Sequence, residues 1–308
     1  MPKYRILSLD GGGIRGLLSA ILLERLEAEA PNWLSQVDLI AGTSTGGIIA
    51  LGLAKGLSPT QLRNLYQLRG AAIFDDSWWD DVLDIGKISG ADYDNKQLTK
   101  ELKTILGNTK LRELSKRVLI SSFDLDSEER DPTKRSWTPK FFHNFPGIDS
   151  DGEQLAYKVA LYTSAAPTYF PTVDGYIDGG VVANNPSMAA LAQTQDTRAL
   201  KTPPRFSEIR LLSIGTGKSL YRIEGQNLDW GYAQWAKPLI NIMMDGVMGV
   251  ADYQCRQVLD DNYCRISPTF PPGAVFPLDG VKQIPDLVTF ATSVDLTRAV
   301  QWIKSKWA

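Results

Sequence analysis

In the first part of the chain, apolar positions fall into short continuous runs separated by clusters of glycine and small polar residues. That pattern predicts buried strands alternating with helices. Ile6 to Leu9 reads as a short buried strand and Gly11 to Gly16 as a glycine loop. Leu17 to Ala30 reads as a helix with apolar residues at 17, 18, 21, 22 and 26, stopped by Pro31. Val37 to Ala41 reads as a second strand, running into Gly-Thr-Ser-Thr-Gly-Gly and then the helical run Ile-Ile-Ala-Leu-Gly-Leu-Ala. A further helix starts at Ser58 as N-cap, with Pro59 at its first position. This βαβα opening places the chain in the α/β class, with a parallel sheet covered by helices.

Further along, strands are expected at Val118 to Phe123, Trp137 to Phe142, Val173 to Ile177, Arg210 to Ile214 and Tyr263 to Ile266. Helices are expected near 154–163, 186–194, 235–250 and 285–304. Residues 70–95, rich in Trp, Asp and Gly, break the alternation and read as a surface excursion. The charge run at 128–135 reads as a solvated turn between two strands.

The bulk properties narrow the function more than the fold. The 308 residues suit one large α/β domain spanning 1–308, and 43% hydrophobic residues can fill its core without staples. Thirty-three basic against thirty-five acidic side chains give a charge of −2, no footprint for nucleic acid. Cys255 and Cys264 read as buried free thiols of a reducing compartment. The apolar stretch after Lys3 and Arg5 is cut short by Asp10, below the length of a signal sequence, and no apolar run reaches the ~18 residues of a membrane span. A cytoplasmic protein with at most peripheral membrane contact is expected.

Two glycine-rich motifs bear on chemistry. Gly42-Thr43-Ser44-Thr45-Gly46 fits GxSxG where a strand gives way to a helix, the setting in which a strained turn lifts a serine hydroxyl above the sheet edge. Asp10-Gly11-Gly12-Gly13-Ile14-Arg15-Gly16 also fits the GxGxxG of a dinucleotide-binding turn. That alternative needs an acidic residue at the end of the second strand, roughly 20 residues on. The chain instead has Ala41-Gly42-Thr43-Ser44 there, so glycine amides facing a developing oxyanion explain the loop better. Arg15 either adds positive charge beside that hole or braces the loop by pairing with a carboxylate.

The activating base is constrained by a single histidine, His143, which sits in an alternating strand and reads as a hydrogen-bonded structural residue. No histidine follows it, as the Ser, acid, His order of an α/β-hydrolase requires, and no Ser-x-x-Lys occurs. The remaining candidate is Asp178, at the end of an expected strand and followed by Gly179 and Gly180.

DGGGIRG, GTSTGG and DGG in this order, with Ser164-Ala-Ala-Pro-Thr-Tyr-Phe-Pro171 before Asp178, make the chain resemble the patatin-like phospholipase family. The resemblance covers about residues 4–190 and weakens beyond about 220; Asn184-Asn185-Pro186 agrees with it. It implies a three-layer α/β/α fold with a mostly parallel sheet, and a Ser–Asp dyad that hydrolyses acyl esters of lipids with no metal or cofactor. By position it implies Ser44 as nucleophile, Asp178 as base, and the amides of Gly11, Gly12 and Gly13 as oxyanion hole. The expected partner is a phospholipid or another acyl-ester lipid. Some bacterial relatives are effectors switched on by cyclic nucleotides, so a small-molecule activator belongs among the readings. Channel-lining candidates are Trp78, Trp79, Tyr169, Phe170 and the methionines at 243, 244 and 248, although Met and aromatic clusters are more often core. No sustained heptad marks an oligomer.

Overall fold

The computed structural model describes residues 3–73, 95–167 and 169–307. Seven strands form one sheet: β1 (Tyr4–Leu9), β2 (Leu39–Thr43), β3 (Arg117–Asp124), β4 (Thr138–His143), β5 (Tyr176–Asp178), β6 (Ile209–Ile214) and β7 (Tyr263–Ile266). The order is β4-β3-β2-β1-β6-β7, with β5 paired to β3. The β3/β2, β2/β1, β1/β6 and β6/β7 pairs are parallel, whereas β4 and β5 run antiparallel to β3.

Among the described residues the helices are α1 (Gly16–Glu29), α2 (Thr45–Lys55), α3 (Pro59–Ile73), α4 (Lys96–Leu106), α5 (Ala156–Ser164), α6 (Gly180–Ala183), α7 (Ser187–Gln193), α8 (Tyr232–Leu259), α9 (Ile284–Ser293) and α10 (Thr297–Trp302). Strand alternation sorts the core into two layers. Leu7, Leu9, Ile40, Val118, Ile120, Leu212 and Ile214 face the α1, α2, α3 and α5 side. Ile6, Leu39, Ala41, Leu119, Ile209 and Leu211 face Ala190 and Leu191 of α7 and Cys255 and Leu259 of α8. This is the expected three-layer α/β/α arrangement with a mostly parallel sheet. Both faces are covered, which is why the parallel strands read as continuous apolar runs rather than alternating ones.

The third expected helix begins with Ser58 capping the amide of Gln61 at 3.2 Å, while the Gln61 side chain accepts from the Ser58 amide at 2.8 Å. Other elements depart from expectation. The helix expected near 235–250 extends over 28 residues. The one expected at 285–304 is two helices, because the Asp295 carboxylate accepts the Thr297 amide at 2.9 Å and starts α10 afresh. The expected excursion at 70–95 is entered by α3, which runs to Ile73, and α4 begins just after it at Lys96; the expectation for 74–94 lies outside the described residues. Pro132–Lys134 forms a short exposed turn between β3 and β4, as the charge run predicted. The chain's far end is not peripheral: Trp307 is fully buried, donates its indole N–H to the Trp33 carbonyl at 3.0 Å, and accepts from Arg5 at 2.8 Å.

What positions the site is the pairing along β3. β2 pairs with it up to Thr43 opposite Ser121, and β5 takes over at the next residue, Asp178 opposite Ser122. β4 holds the opposite edge of β3 at the same positions, so β5 continues the lane that β2 leaves. The ends of β2 and β5 therefore meet head-on, bringing Ser44 and Asp178 together although 134 residues of sequence separate them.

Candidate functional site

Ser44 sits at φ 53° and ψ −124°, a conformation that disfavours any side chain and costs on the order of 1–3 kcal/mol. The fold holds it there with local parts. The Ser44 carbonyl accepts from Ile48 at 3.1 Å, opening α2, and its amide donates to the Thr163 hydroxyl at 2.8 Å. Thr163 in turn donates to the Ser121 carbonyl at 2.6 Å. The Thr45 hydroxyl and backbone carbonyl bond Tyr66 of α3, fixing the helix start. A Cβ at position 46 would lie 2.3 Å from the Leu9 carbonyl oxygen, so only glycine lets the elbow nest against the end of β1.

Asp178 is 5% exposed. One carboxylate oxygen accepts the Gly180 amide at 2.7 Å, and the neighbouring Ser44 side chain favours its charged form. Burial dominates its protonation: loss of solvation pushes the carboxyl up to about 6, while Ser44 and the Gly180 amide pull back only in part. A carboxylate with a raised proton affinity is a better base toward a serine hydroxyl than an ordinary one.

The glycine loop is held by distant partners. Asp10 donates its amide to Ile214 at 3.0 Å, and its buried carboxylate forms a two-pronged ion pair with Arg265 of β7. Thr216 donates its hydroxyl to the Gly11 carbonyl at 2.8 Å, and Ile14 donates to Leu278 at 2.7 Å. Of the three glycines expected to offer amides to an oxyanion, Gly11 is already committed: its N–H donates to the Asn184 carbonyl at 3.0 Å. The amides of Gly12 and Gly13 have no acceptor among the described residues. Arg15 takes neither expected role in full. Its Nε–H contacts the Gly12 carbonyl at 3.4 Å, so it braces the loop through a carbonyl rather than a carboxylate. Burial lowers its proton affinity against the opposing pull of neighbours that include Asp245.

Other candidates fall away from this centre. His143 pairs with Leu119 on the opposite edge of β3. It is buried edge-on against Phe145 and, contrary to expectation, its Nδ1 has no hydrogen-bond partner among the described residues. Cys255 and Cys264 are buried and unbridged. The methionines of α8 are not core: Met243 is exposed and Met244 and Met248 are half-buried, with the Met244 methyl 3.2 Å from where a Cβ on Gly180 would stand. Tyr169 and Phe170 are half-buried, and Trp78 and Trp79 lie outside the described residues. Residues without an assigned role in the sequence complete the site: Thr163 under the elbow, and Asn184, Thr216 and Arg265 around the loop. Only Asn184 stood in a motif. No helix among the described residues is long and apolar enough to cross a membrane.

A sequence profile described as patatin-like phospholipase matches residues 7–191, the stretch holding the glycine loop, the elbow and Asp178. CotR of Bacillus subtilis is 30% identical over 100% of this chain and 99% of its own length. A cGAMP-activated phospholipase of Pseudomonas aeruginosa is 32% identical over 86% of this chain and 78% of its own length. Among solved structures, that of VipD from Legionella pneumophila covers 94% of this chain and 67% of its own, at 13% identity and a TM-score of 0.42.

Proposed function

This chain belongs to the patatin-like phospholipase family, and from that premise we propose that it is a serine acyl hydrolase releasing fatty acid from glycerolipid esters. Ser44 is the nucleophile and Asp178 its base. The observation that supports this best is the meeting of a strained Ser44 with a buried carboxylate whose proton affinity burial has raised, at the abutting ends of β2 and β5.

Asp178 accepts the Ser44 proton as Oγ attacks the ester carbonyl, and then protonates the departing alcohol. The amides of Gly12 and Gly13 stabilise the oxyanion, each worth roughly 3 kcal/mol in the transition state. Gly11 serves by close approach rather than donation, since a Cβ there would lie 3.2 Å from the Ser44 Cβ. Arg15 holds the Gly12 carbonyl at 3.4 Å, and in the same trans peptide the Gly13 amide points the opposite way. Water then releases the acyl group.

The test is fatty-acid release from mixed phospholipid and monoacylglycerol vesicles in a metal chelator, comparing the wild type with Ser44→Ala. Loss of turnover on the order of 10⁴-fold is expected, with fluorophosphonate labelling abolished. Undiminished release by the variant would remove Ser44 from the mechanism. Because the base must be ionised, kcat/KM should rise with pH through about 6. An acid limb near 4 would mean that burial does not tune Asp178.

The likeness to a cGAMP-activated phospholipase favours a second reading, the same hydrolase held in check until a cyclic nucleotide binds. Identical release with and without cGAMP would dispose of it.

A further inference from the structure

Asn184, in the turn between α6 and α7, is 1% exposed, and its backbone carbonyl is the acceptor that fixes Gly11. Its side chain has a different environment. The carboxamide oxygen Oδ1 is buried with no hydrogen-bond donor among the described residues, a costly state for an acceptor. Two reference points locate it. A Cβ on Gly11 would stand 2.2 Å from this oxygen and 3.2 Å from the Ser44 Cβ. A Cβ on Gly180 would stand 3.2 Å from it, 3.1 Å from Asp178 Oδ1 and 3.2 Å from the Met244 methyl. The orphaned oxygen therefore lies close to both the Ser44 Cβ and the Asp178 carboxylate, beside a methionine of α8.

An acceptor kept unpaired beside a carboxylate is suited to a donor that comes and goes. Building on the acyl-enzyme reading above, we propose that Asn184 positions the hydrolytic water: one O–H points to the Asp178 carboxylate and the other to Asn184 Oδ1. Two acceptors fix the orientation of a molecule that one would leave free to rotate. Asp178 removes the first proton as the water oxygen bonds to the acyl carbon. The tetrahedral adduct then expels Ser44 Oγ, which takes that proton back from Asp178, and the fatty acid leaves. Acylation needs no such water, so Asn184 acts on only one half of the cycle.

That asymmetry sets the experiment. With a p-nitrophenyl acyl ester, Asn184→Ala should release its first equivalent of nitrophenol within about threefold of the wild-type rate. Steady-state turnover should fall at least ~10-fold, and the intact protein should accumulate the mass of one acyl group. Burst and steady state falling together with no adduct, or an unchanged steady state, would overturn the proposal. Asn184→Asp guards against a variant that does not fold and against an amide turned the other way, since it keeps an oxygen and has no N–H to give. At pH 9 it should turn over within about fivefold of wild type without accumulating adduct; accumulation there would overturn the acceptor role. If the wild type forms no Ser44 adduct even with quenched-flow sampling, the acyl-enzyme reading itself fails, a result distinct from either variant's.

Discussion

The nucleophile elbow and the glycine loop meet at one point but are built in opposite ways. The elbow has a local frame, since β2, Ser44 and α2 are consecutive and the bond from Ile48 to Ser44 spans four residues, with Thr163, Ser121 and Tyr66 adding support from elsewhere. The loop is placed by its surroundings, through Asn184, Ile214, Thr216, Arg265 and Leu278. Four of those five lie beyond the residues matched by the family profile. The part of the chain where motifs fade thus supplies the frame that aims the proposed oxyanion donors.

The largest expected effect tests that dependence. Asp10 and Arg265 are 1% and 9% exposed in their side chains, and Arg265 also donates to Ser213 at 2.7 Å. Removing one member of a buried pair leaves an uncompensated charge, which costs roughly 3–5 kcal/mol. Arg265→Met should lose that much in urea denaturation and reduce turnover as well. A loss under about 1 kcal/mol would mean that the loop supports itself and that the contrast with the elbow is false.

Asp178, where the two regions meet, carries the next-largest expected effect. Asp178 titrates near 6 in the folded protein, against about 3.9 in an unfolded chain. The folded state holds this proton more tightly, so the contribution to stability is fully present below about pH 4 and is lost as pH rises through about 6. Two pH units correspond to about 3 kcal/mol. Asp178→Asn should abolish turnover yet be more stable than wild type by up to that amount at pH 8, with the advantage gone at pH 4. Equal melting curves at both pH values would show that the carboxylate is not strained by its burial.

The same contrast explains what could be read from the chain. Ser44, Asp178 and the glycine loop were legible because each depends on short-range pattern: strand, turn, helix start, or strand followed by glycines. The parallel sheet covered by helices followed from apolar runs separated by helical patterns, and the three-layer arrangement from the family resemblance. What could not be read is the head-on meeting of β2 and β5 along β3, which depends on register between segments far apart in sequence. For the same reason Gly11 was assigned as a donor, since nothing near it in sequence shows that the Asn184 carbonyl claims its amide. Arg265 and Thr216 stand in no motif, and α4 follows directly on the irregular composition of residues 70–95, which masks its start.

The smallest effect gives the finest comparison, between two threonines. Thr163 accepts the Ser44 amide and donates to the Ser121 carbonyl, so Thr163→Val removes the partner of two backbone groups beneath Ser44. Thr216 makes one bond, to the Gly11 carbonyl, and its Cβ would lie 2.6 Å from a Cβ on Gly12, packing that valine preserves. The expected losses are about 2 kcal/mol for Thr163→Val and about 1 kcal/mol for Thr216→Val. Kinetics should separate them further. Displacing the Ser44 backbone should slow fluorophosphonate labelling and ester turnover together. A loop freed at Gly11 still has Asp10 and Ile14 pinned, so Thr216→Val should change turnover by less than about threefold. If Thr216→Val were instead the more damaging, the loop's anchors would act singly rather than in concert, and its dependence on the far end of the chain would be stronger than the ion pair alone implies.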